Sequence, residues 1–402
     1  GAGSEVEEII AEVFAEVLHL EKVSVDESFF ALGGDSIVSI QLVSRAKARG
    51  VVFTPRDVFE RRSVAGLAEV ASRVDADAPR KLAELPGGGV GDVPLTPIMR
   101  EVLGWPGGFD RFSQTIAVNL PQDITADVLE RTIGAVVDHH DALRSILDRS
   151  DDAATLRIRA TGTVDASSLI ARVEVAAEIS DTDLTEIASR ELDSALGRLD
   201  PESGSVLQFV WFDFTGDTRP GVLLIVAHHL VMDGVSWRIL LPDLGLAWGQ
   251  IVAGQDVRLA EVGTSLRRWA HGLVEAAPSH RDELELWERI LGEPDPLLAH
   301  RPFDPAVDVT STVERIELTL DSRQTEALLT SVPSLFRGGV ADGLVAALGL
   351  ALVRWRRDRG VESSSALVKF EGHGREEAVV PGADLSRTVG WFTSAYPVRV
   401  DL

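Results

Sequence analysis

Residues 222–237 read Val-Leu-Leu-Ile-Val-Ala-His-His-Leu-Val-Met-Asp-Gly-Val-Ser-Trp. The first six of these residues are all apolar, which is typical of a strand buried on both faces of a sheet. A polar loop follows, and this order of strand and loop often holds a reactive side chain at a rigid edge. The stretch therefore predicts a sheet-based domain whose functional residues lie between His228 and Trp237.

The two histidines of this loop have three possible roles. A metal site needs further ligands at the usual spacing, and none is visible, so we expect no metal. A purely structural histidine pair stays open. A general base is the preferred interpretation, because imidazole titrates near neutral pH and can accept a proton there.

The sequence around this stretch predicts further elements of a mixed α/β domain. Strands are expected at residues 112–120 and 206–214, and a helix at 124–139 that ends in His139-His140-Asp141. Beyond a break near residues 294–305, the alternation of apolar residues predicts a strand at 313–320. Two helices (322–329 and 340–355) and one more strand (365–370) complete the prediction.

The first part of the chain has a different pattern. Apolar residues spaced by three and four from Glu5 onward, and again from Ser36 to Arg49, predict a small all-helical domain. Breaker-rich residues then predict a linker. The expected boundaries are a helical domain at 1–75, a linker at 76–92, and two lobes of a larger domain at 93–295 and 296–402.

Composition limits the classes of function. The chain has 402 residues, no cysteine and a formal net charge of −24, with 45% hydrophobic residues. The charge argues against binding to nucleic acid or to an anionic membrane, and no stretch reaches the ~20 apolar residues of a membrane helix. The absence of cysteine fits a reducing compartment, so we expect a cytoplasmic protein.

Ser36 follows the glycine-rich turn Leu32-Gly33-Gly34-Asp35 and begins a predicted helix. The ordinary interpretation is a helix N-cap. The alternative is a modified serine, because the free N–H groups and positive dipole at a helix start favour an attached phosphate. Both interpretations stay open from these residues alone.

Glu371 opens the string Glu-Gly-His-Gly-Arg-Glu at residues 371–376, directly after the last predicted strand. Taken alone, a glutamate in a glycine-rich loop is most often a solvated turn residue. The two glycines also allow a tight turn that leaves room for a substrate beside the carboxyl group.

Together these motifs resemble a peptidyl carrier protein followed by an epimerization domain of a non-ribosomal peptide synthetase. Leu-Gly-Gly-Asp-Ser resembles the phosphopantetheine attachment site, and His-His-x-x-x-Asp-Gly resembles the condensation-superfamily motif. Four further strings are similar to the epimerization branch, at residues 96–99, 110–114, 371–376 and 387–397. The resemblance implies a multi-domain fold: a small all-α, four-helix carrier domain, then an α/β two-lobed domain like chloramphenicol acetyltransferase.

The same resemblance implies roles for individual residues. Ser36 would carry 4'-phosphopantetheine, and His229 and Glu371 would be catalytic. Arg144 would form an ion pair with Asp233, while His139 and His140 would take no part in catalysis. The other supporting residues implied by the resemblance are His228, Asp233, Gly234, Trp237 and Tyr396.

The implied reaction is inversion at Cα of an L-aminoacyl or peptidyl thioester to a D/L mixture. Inversion needs a proton taken from one face and returned on the other, so His229 and Glu371 are expected on opposite sides of the α-carbon. Burial is expected to raise the pKa of Glu371. Backbone N–H groups between Gly234 and Trp237 are expected to stabilise the developing enolate oxygen. Which base acts first stays open, as does a single base assisted by water.

Two alternatives of the same fold remain: a condensation domain that forms peptide bonds, and a catalytically silent recruitment platform. The resemblance also implies partners, namely an adenylation domain upstream, a condensation domain downstream and a phosphopantetheinyl transferase, and we expect a monomer. Two segments that follow the Tyr-Pro string in epimerization domains are absent, so the second lobe is expected to be incomplete.

Overall fold

The computed structural model describes residues 5–73, 81–106, 108–122, 124–149, 154–176, 178–215, 219–336 and 338–402. Residues 1–4 and 74–75 of the predicted helical domain and 76–80 of the predicted linker therefore lie outside the described part. The chain divides into one unit of residues 1–79, 281–371 and 395–402, and a second unit of residues 80–280 and 372–394. The domain boundaries expected from the sequence stay predictions.

Residues 5–73 form the predicted four-helix domain. Its helices are α1 (Glu5–Leu18), α2 (Ser36–Ala48), α3 (Pro55–Arg61) and α4 (Val64–Val70), and short strands β1 (Val51–Val52) and β2 (Ser72–Arg73) pair antiparallel. The apolar spacing of α1 buries one face in a core made only of residues from this domain. The buried members of this carrier core are Ile10, Val13, Phe14, Val17, Phe29, Val38, Leu42, Ala46, Val51, Phe53, Val58, Val64 and Leu67.

Two sheets organise the second unit. The smaller contains β3 (Gly91–Pro94), β5 (Ser145–Asp148) and β6 (Thr155–Ile158) in the order β3-β6-β5. The larger contains β4 (Ser113–Asn119), β7 (Ile170–Ala176), β8 (Leu207–Thr215) and β9 (Val222–His228) in the order β4-β9-β8-β7. Its pairs are antiparallel except β7 with β8. The three strands predicted in this region are confirmed as β4, β8 and β9.

Five helices accompany these sheets, at Pro97–Leu103 (α5), Ala126–His139 (α6), Asp181–Gly197 (α7), Trp237–Val252 (α8) and Leu266–Ala276 (α9). α6 begins at Ala126, two residues after the predicted start, because the Thr125 side chain accepts a hydrogen bond from Val128 N and caps the helix there. α6 packs against α8, and α7 packs against β8 over a second apolar core.

Part of the predicted linker belongs to the second unit. The Glu84 carboxylate accepts hydrogen bonds from the backbone N–H and hydroxyl of Ser265, each at 2.7 Å. Arg267 donates to the carbonyls of Pro86 and Gly88, and Leu82 N donates to Gly382 O. Residues 82–88 are therefore held against the start of α9.

The remaining part of the first unit contains α10 (Leu284–Leu291), α11 (Ser322–Glu326), α12 (Val332–Phe336) and α13 (Val340–Arg357). Strands β10 (Ser365–Gly372) and β11 (Ser394–Asp401) pair with each other. The helix and strand predicted at 340–355 and 365–370 are confirmed. In the described chain, no single helix has the length and apolarity of a membrane span, and only the bent pair Ser322–Phe336 and Val340–Arg357 reaches them when combined.

The strand predicted at residues 313–320 is wrong. These residues join no sheet of the described structure, and Val313, Ile316 and Leu318 are 74%, 87% and 91% exposed. The alternating pattern signals a segment that could bury one face, but a strand also needs a hydrogen-bonding neighbour.

Candidate functional site

The histidine loop begins where β9 ends. β9 finishes at His228, a single 3₁₀ turn covers His229–Val231, and α8 starts at Trp237. His229 N donates to Phe112 O at 2.8 Å, just before β4, and the imidazole stacks on the Phe112 ring at 4.7 Å. The Trp391 ring also contacts the imidazole, with centroids 4.6 Å apart. The second histidine is thus held by backbone and rings on a rigid strand end.

His228 has a different environment. Its side chain is fully buried, its Nε2 lies 2.9 Å from Phe109 O, and its Nδ1 accepts from Leu230 N at 3.2 Å. Burial lowers the pKa of His228 to about 4, against a smaller opposing effect of the Phe109 carbonyl. His228 is therefore neutral at pH 7, donates from Nε2, and ties the loop to the chain before β4.

Asp233 is the centre of a buried polar network. It accepts hydrogen bonds from the backbone N–H and hydroxyl of Ser236, each at 2.7 Å, and from Phe392 N at 3.2 Å. Arg375 donates to both Asp233 oxygens, at 3.1 and 3.2 Å. Arg375 also donates to the carbonyls of Leu385 and Thr388, so this buried guanidinium joins three segments.

The ion pair predicted between Arg144 and Asp233 is wrong, because the structure pairs Asp233 with Arg375. Arg144 is fully buried and binds Asp141 at 2.6 Å, three residues before it. It also donates to the carbonyls of Val137 and Asp138. These are terminal carbonyls of α6, which a cation at a helix C-terminus stabilises, so Arg144 caps its own helix.

The backbone N–H groups expected to stabilise an enolate are only partly available. Ser236 N donates to Asp233 Oδ1 and is therefore committed. Gly234 is exposed, and a Cβ atom at this position would meet no atom within 4 Å. The Gly234 N–H group thus stays a candidate beside open space, whereas Val235 is buried.

Trp237 has a contact that the sequence did not suggest. Its indole Nε1 donates to Gln114 Oε1 at 2.7 Å, and Gln114 Nε2 lies 3.0 Å from His229 Nε2. Gln114 belongs to the string at residues 110–114 that resembles the epimerization branch, but no role was predicted for it. The available signal was a polar residue at the start of a strand next to the histidine loop.

Glu371 lies near the end of β10, and its side chain is exposed. The burial expected for this carboxyl group is therefore not found. His229 belongs to the second unit and Glu371 to the first, so their opposition across a substrate stays a prediction. Tyr396, on β11, stacks on Phe370 at 6.2 Å, one residue before Glu371.

A second histidine cluster lies at the end of α6, where one ligand atom each of His139, His140 and Asp243 lie within 4.8 Å of one another. These groups are already bonded: His140 Nε2 to Asp243 at 2.9 Å, and His139 Nε2 to Ala260 O at 2.9 Å. The Arg387 guanidinium binds both oxygens of Asp243. Because a cation here would face the charge of Arg387, the cluster is better suited to linking α6 and α8 than to holding a metal.

Ser36 is the first residue of α2, and the turn before it fits an attachment site. Asp35 caps the helix, since its carboxylate accepts from Val38 N at 2.7 Å, so capping does not require Ser36. Gly33 has φ +98°, and a Cβ at Gly34 would lie 2.4 Å from the Phe29 ring. Gly33 is therefore required by its backbone conformation and Gly34 by the packing of the Phe29 ring, and Ser36 stands at a helix start that favours an attached phosphate.

Two family models match the chain. Residues 8–71 match the phosphopantetheine attachment site, and residues 109–402 match the condensation domain. Among curated proteins, one of the linear gramicidin synthase subunits of Brevibacillus parabrevis is 41% identical over 99% of this chain and 5% of that protein. Chondramide synthase cmdD of Chondromyces crocatus is 35% identical over 98% of this chain and 10% of that protein. The chain thus spans a small part of the curated relatives it matches.

Solved structures agree on the fold. The epimerization domain from the third module of tyrocidine synthetase B has a TM-score of 0.64 and 25% identity, over 80% of this chain and 70% of that chain. A condensation domain for chain release from the enacyloxin polyketide synthase has a TM-score of 0.56 and 18% identity, over 92% and 73%. The predicted two-domain architecture, a helical carrier domain and a mixed α/β domain, is confirmed.

Proposed function

Because this chain belongs to the condensation-domain family and carries a phosphopantetheine attachment domain ahead of it, we propose that it is an epimerase. Its substrate would be an L-aminoacyl or peptidyl group carried at Ser36 in non-ribosomal peptide synthesis, and its product a D/L mixture at Cα. The likeness to the tyrocidine synthetase epimerization domain and the string Glu371–Glu376 support this choice.

The observation that carries the proposal is the buried ion pair of Arg375 and Asp233. Arg375 belongs to the string that resembles the epimerization signature, and Asp233 belongs to the histidine loop. Through Arg375, the string at residues 371–376 therefore holds the histidine loop in place, which a solvated surface turn would not do. Glu371 precedes Arg375 by four residues, so the chain allows at most about 14 Å between their Cα atoms.

The residues then have the following roles. 4'-Phosphopantetheine, when bound to Ser36, supplies a thioester on a flexible arm, whose α-proton is easier to remove than that of an amide. One of His229 and Glu371 takes the α-proton while the electron pair of the C–H bond shifts towards the carbonyl oxygen. The other returns a proton to the opposite face of the α-carbon, so the net change is inversion. The N–H group of Gly234, which borders open space, is a candidate donor to the negative oxygen.

The test loads an L-aminoacyl group onto pantetheinylated full chain in heavy water and measures the configuration and deuterium content of the released amino acid. We expect D product with one deuterium at Cα. Replacing His229 or Glu371 by Gln should slow this exchange by about 10²–10⁴-fold, the usual contribution of an acid–base group.

Two variants serve as matched controls. Glu376→Gln changes an exposed carboxylate of the same string, and His139→Gln changes a histidine outside the loop, so both should exchange at the wild-type rate. Exchange at that rate in both His229→Gln and Glu371→Gln would refute the assignment. Peptide-bond formation without D product would indicate a condensation domain instead, and neither reaction would indicate a recruitment platform.

A further inference from the structure

Gln114 lies between Trp237 and His229. It is the second residue of β4, in register with Ala227 of β9, and so stands beside the start of the histidine loop. Its amide oxygen is 2.7 Å from Trp237 Nε1, and its amide nitrogen is 3.0 Å from His229 Nε2. The three side chains form a short chain of hydrogen bonds that ends on the imidazole.

The chemistry of the indole fixes the direction of every bond in this chain. An indole N–H only donates, so the atom of Gln114 that faces Trp237 must be the oxygen. The –NH₂ group then faces His229, and since this group only donates, His229 Nε2 must accept. A turned amide would place two donors against each other at Trp237. Nε2 therefore carries the lone pair, and Nδ1 carries the hydrogen in the neutral ring.

We propose that Gln114 is a positioning residue that, oriented by Trp237, selects the Nδ1–H tautomer of His229 and presents Nε2 as the proton-accepting atom. The amide hydrogen occupies the position that the substrate α-proton takes when the amide is displaced. The role of Gln114 towards substrate rests on the proposed function, whereas the assignment of the His229 tautomer does not.

The tautomer can be tested on the full chain by ¹⁵N NMR with its nine histidines labelled. At a pH where the ring is neutral, we expect a lone-pair-type signal for His229 Nε2 and an N–H-type signal for Nδ1. The His229 signals are assigned by their loss in His229→Gln. In Gln114→Glu the new carboxylate accepts from Nε2–H, so the two signal types should exchange places.

Three further variants complete the experiment. Gln114→Leu, which is close in volume and cannot hydrogen-bond, should give a mixture of tautomers, and it provides a second readout should Gln114→Glu fail to fold. Trp237→Phe frees the amide to turn and should shift the signals towards the same mixture. Gln250→Leu removes a glutamine of α8 that hydrogen-bonds the backbone of Arg258. This variant should leave the His229 signals unchanged.

The outcomes separate this inference from the proposed function. An N–H-type Nε2 in the wild-type chain, or unchanged signals in both Gln114 variants, would overturn the tautomer assignment. If Gln114→Glu reverses the signals while the wild-type chain shows no exchange at Cα, the tautomer assignment stands and the proposed epimerase function is refuted. Where the wild type exchanges, Gln114→Glu should be about 10²-fold slower. A wild-type rate despite reversed signals would refute the positioning role.

Discussion

His228 and His229 are adjacent in the chain, yet their surroundings give them different chemistry. His228 is fully buried with both ring nitrogens hydrogen-bonded, whereas His229 is half-buried and contacts Phe112, Trp391 and Gln114. The motif alone left a structural pair open for both residues. The separation of their roles depends on which backbone groups lie nearby, and this information is not in the local sequence.

The buried His228 should make the larger domain sensitive to acid. Its pKa is about 4 in the folded chain against 6.5 ordinarily, so between these values the unfolded chain binds more protons. The free energy of unfolding therefore decreases as the pH falls below 6.5, by about 2 kcal/mol at pH 5. His140 adds to the same trend, because burial lowers its pKa also.

Urea unfolding at pH 7 and pH 5 measures this change, followed by the fluorescence of the eight tryptophans, all of which lie beyond residue 93. His228→Gln should be less stable than wild type at pH 7 but should lose less stability on acidification. His300→Gln, at an exposed position, should show the wild-type pH dependence. If the stability of His228→Gln depended on pH as that of the wild type does, His228 would not be the source of the acid sensitivity.

The buried ion pair of Arg375 and Asp233 connects the loop after β9 to the loop after β10. Removing one partner leaves a buried charge without compensation, which typically costs about 3–5 kcal/mol. We therefore expect Arg375→Met to lower the free energy of unfolding by that amount. The Asp233→Asn/Arg375→Met double variant should be less destabilised than the sum of the two single variants, because neither charge is then left alone.

Arg157→Met provides the matched control, since this exposed arginine of β6 bridges two carboxylates on the surface and its loss should change stability little. Urea unfolding of the wild type, the two single variants and the double variant gives a double-mutant cycle, and Arg157→Met is measured beside it as the control. Additive effects of Arg375→Met and Asp233→Asn would show that the two groups do not interact.

The elements themselves were largely predictable from the sequence, but their connections were not. An uninterrupted apolar run is enough to predict β9, and spacing by three and four is enough to predict α1. The partner of Asp233 is 142 residues away, and local pattern cannot choose between Arg144 and Arg375 over such a separation. The exposed side chain of Glu371 and the unpaired segment 313–320 were missed for the same reason, since burial and strand pairing depend on tertiary neighbours.

Two apolar cores of the described chain are separate along the sequence. The carrier core draws only on residues within the first 73, and the core between α7 and β8 draws only on the second unit. Tertiary packing provides most of the stability of a short helix, and each core is complete within its own segment. Damage to one core should therefore not spread to the other.

Leu42→Ala tests this separation, because Leu42 is fully buried in the carrier core. Loss of a buried leucine side chain costs about 2–5 kcal/mol. Hydrogen exchange followed by mass spectrometry should show faster exchange in peptides from α1 and α2, with an unchanged tryptophan-monitored transition. Leu199→Ala changes a residue of the core between α7 and β8 and should have the opposite effect. It should move the tryptophan-monitored transition to a lower urea concentration and leave hydrogen exchange in α1 and α2 at the wild-type rate. A shift of the tryptophan transition in Leu42→Ala would mean that the carrier core and the larger domain unfold together.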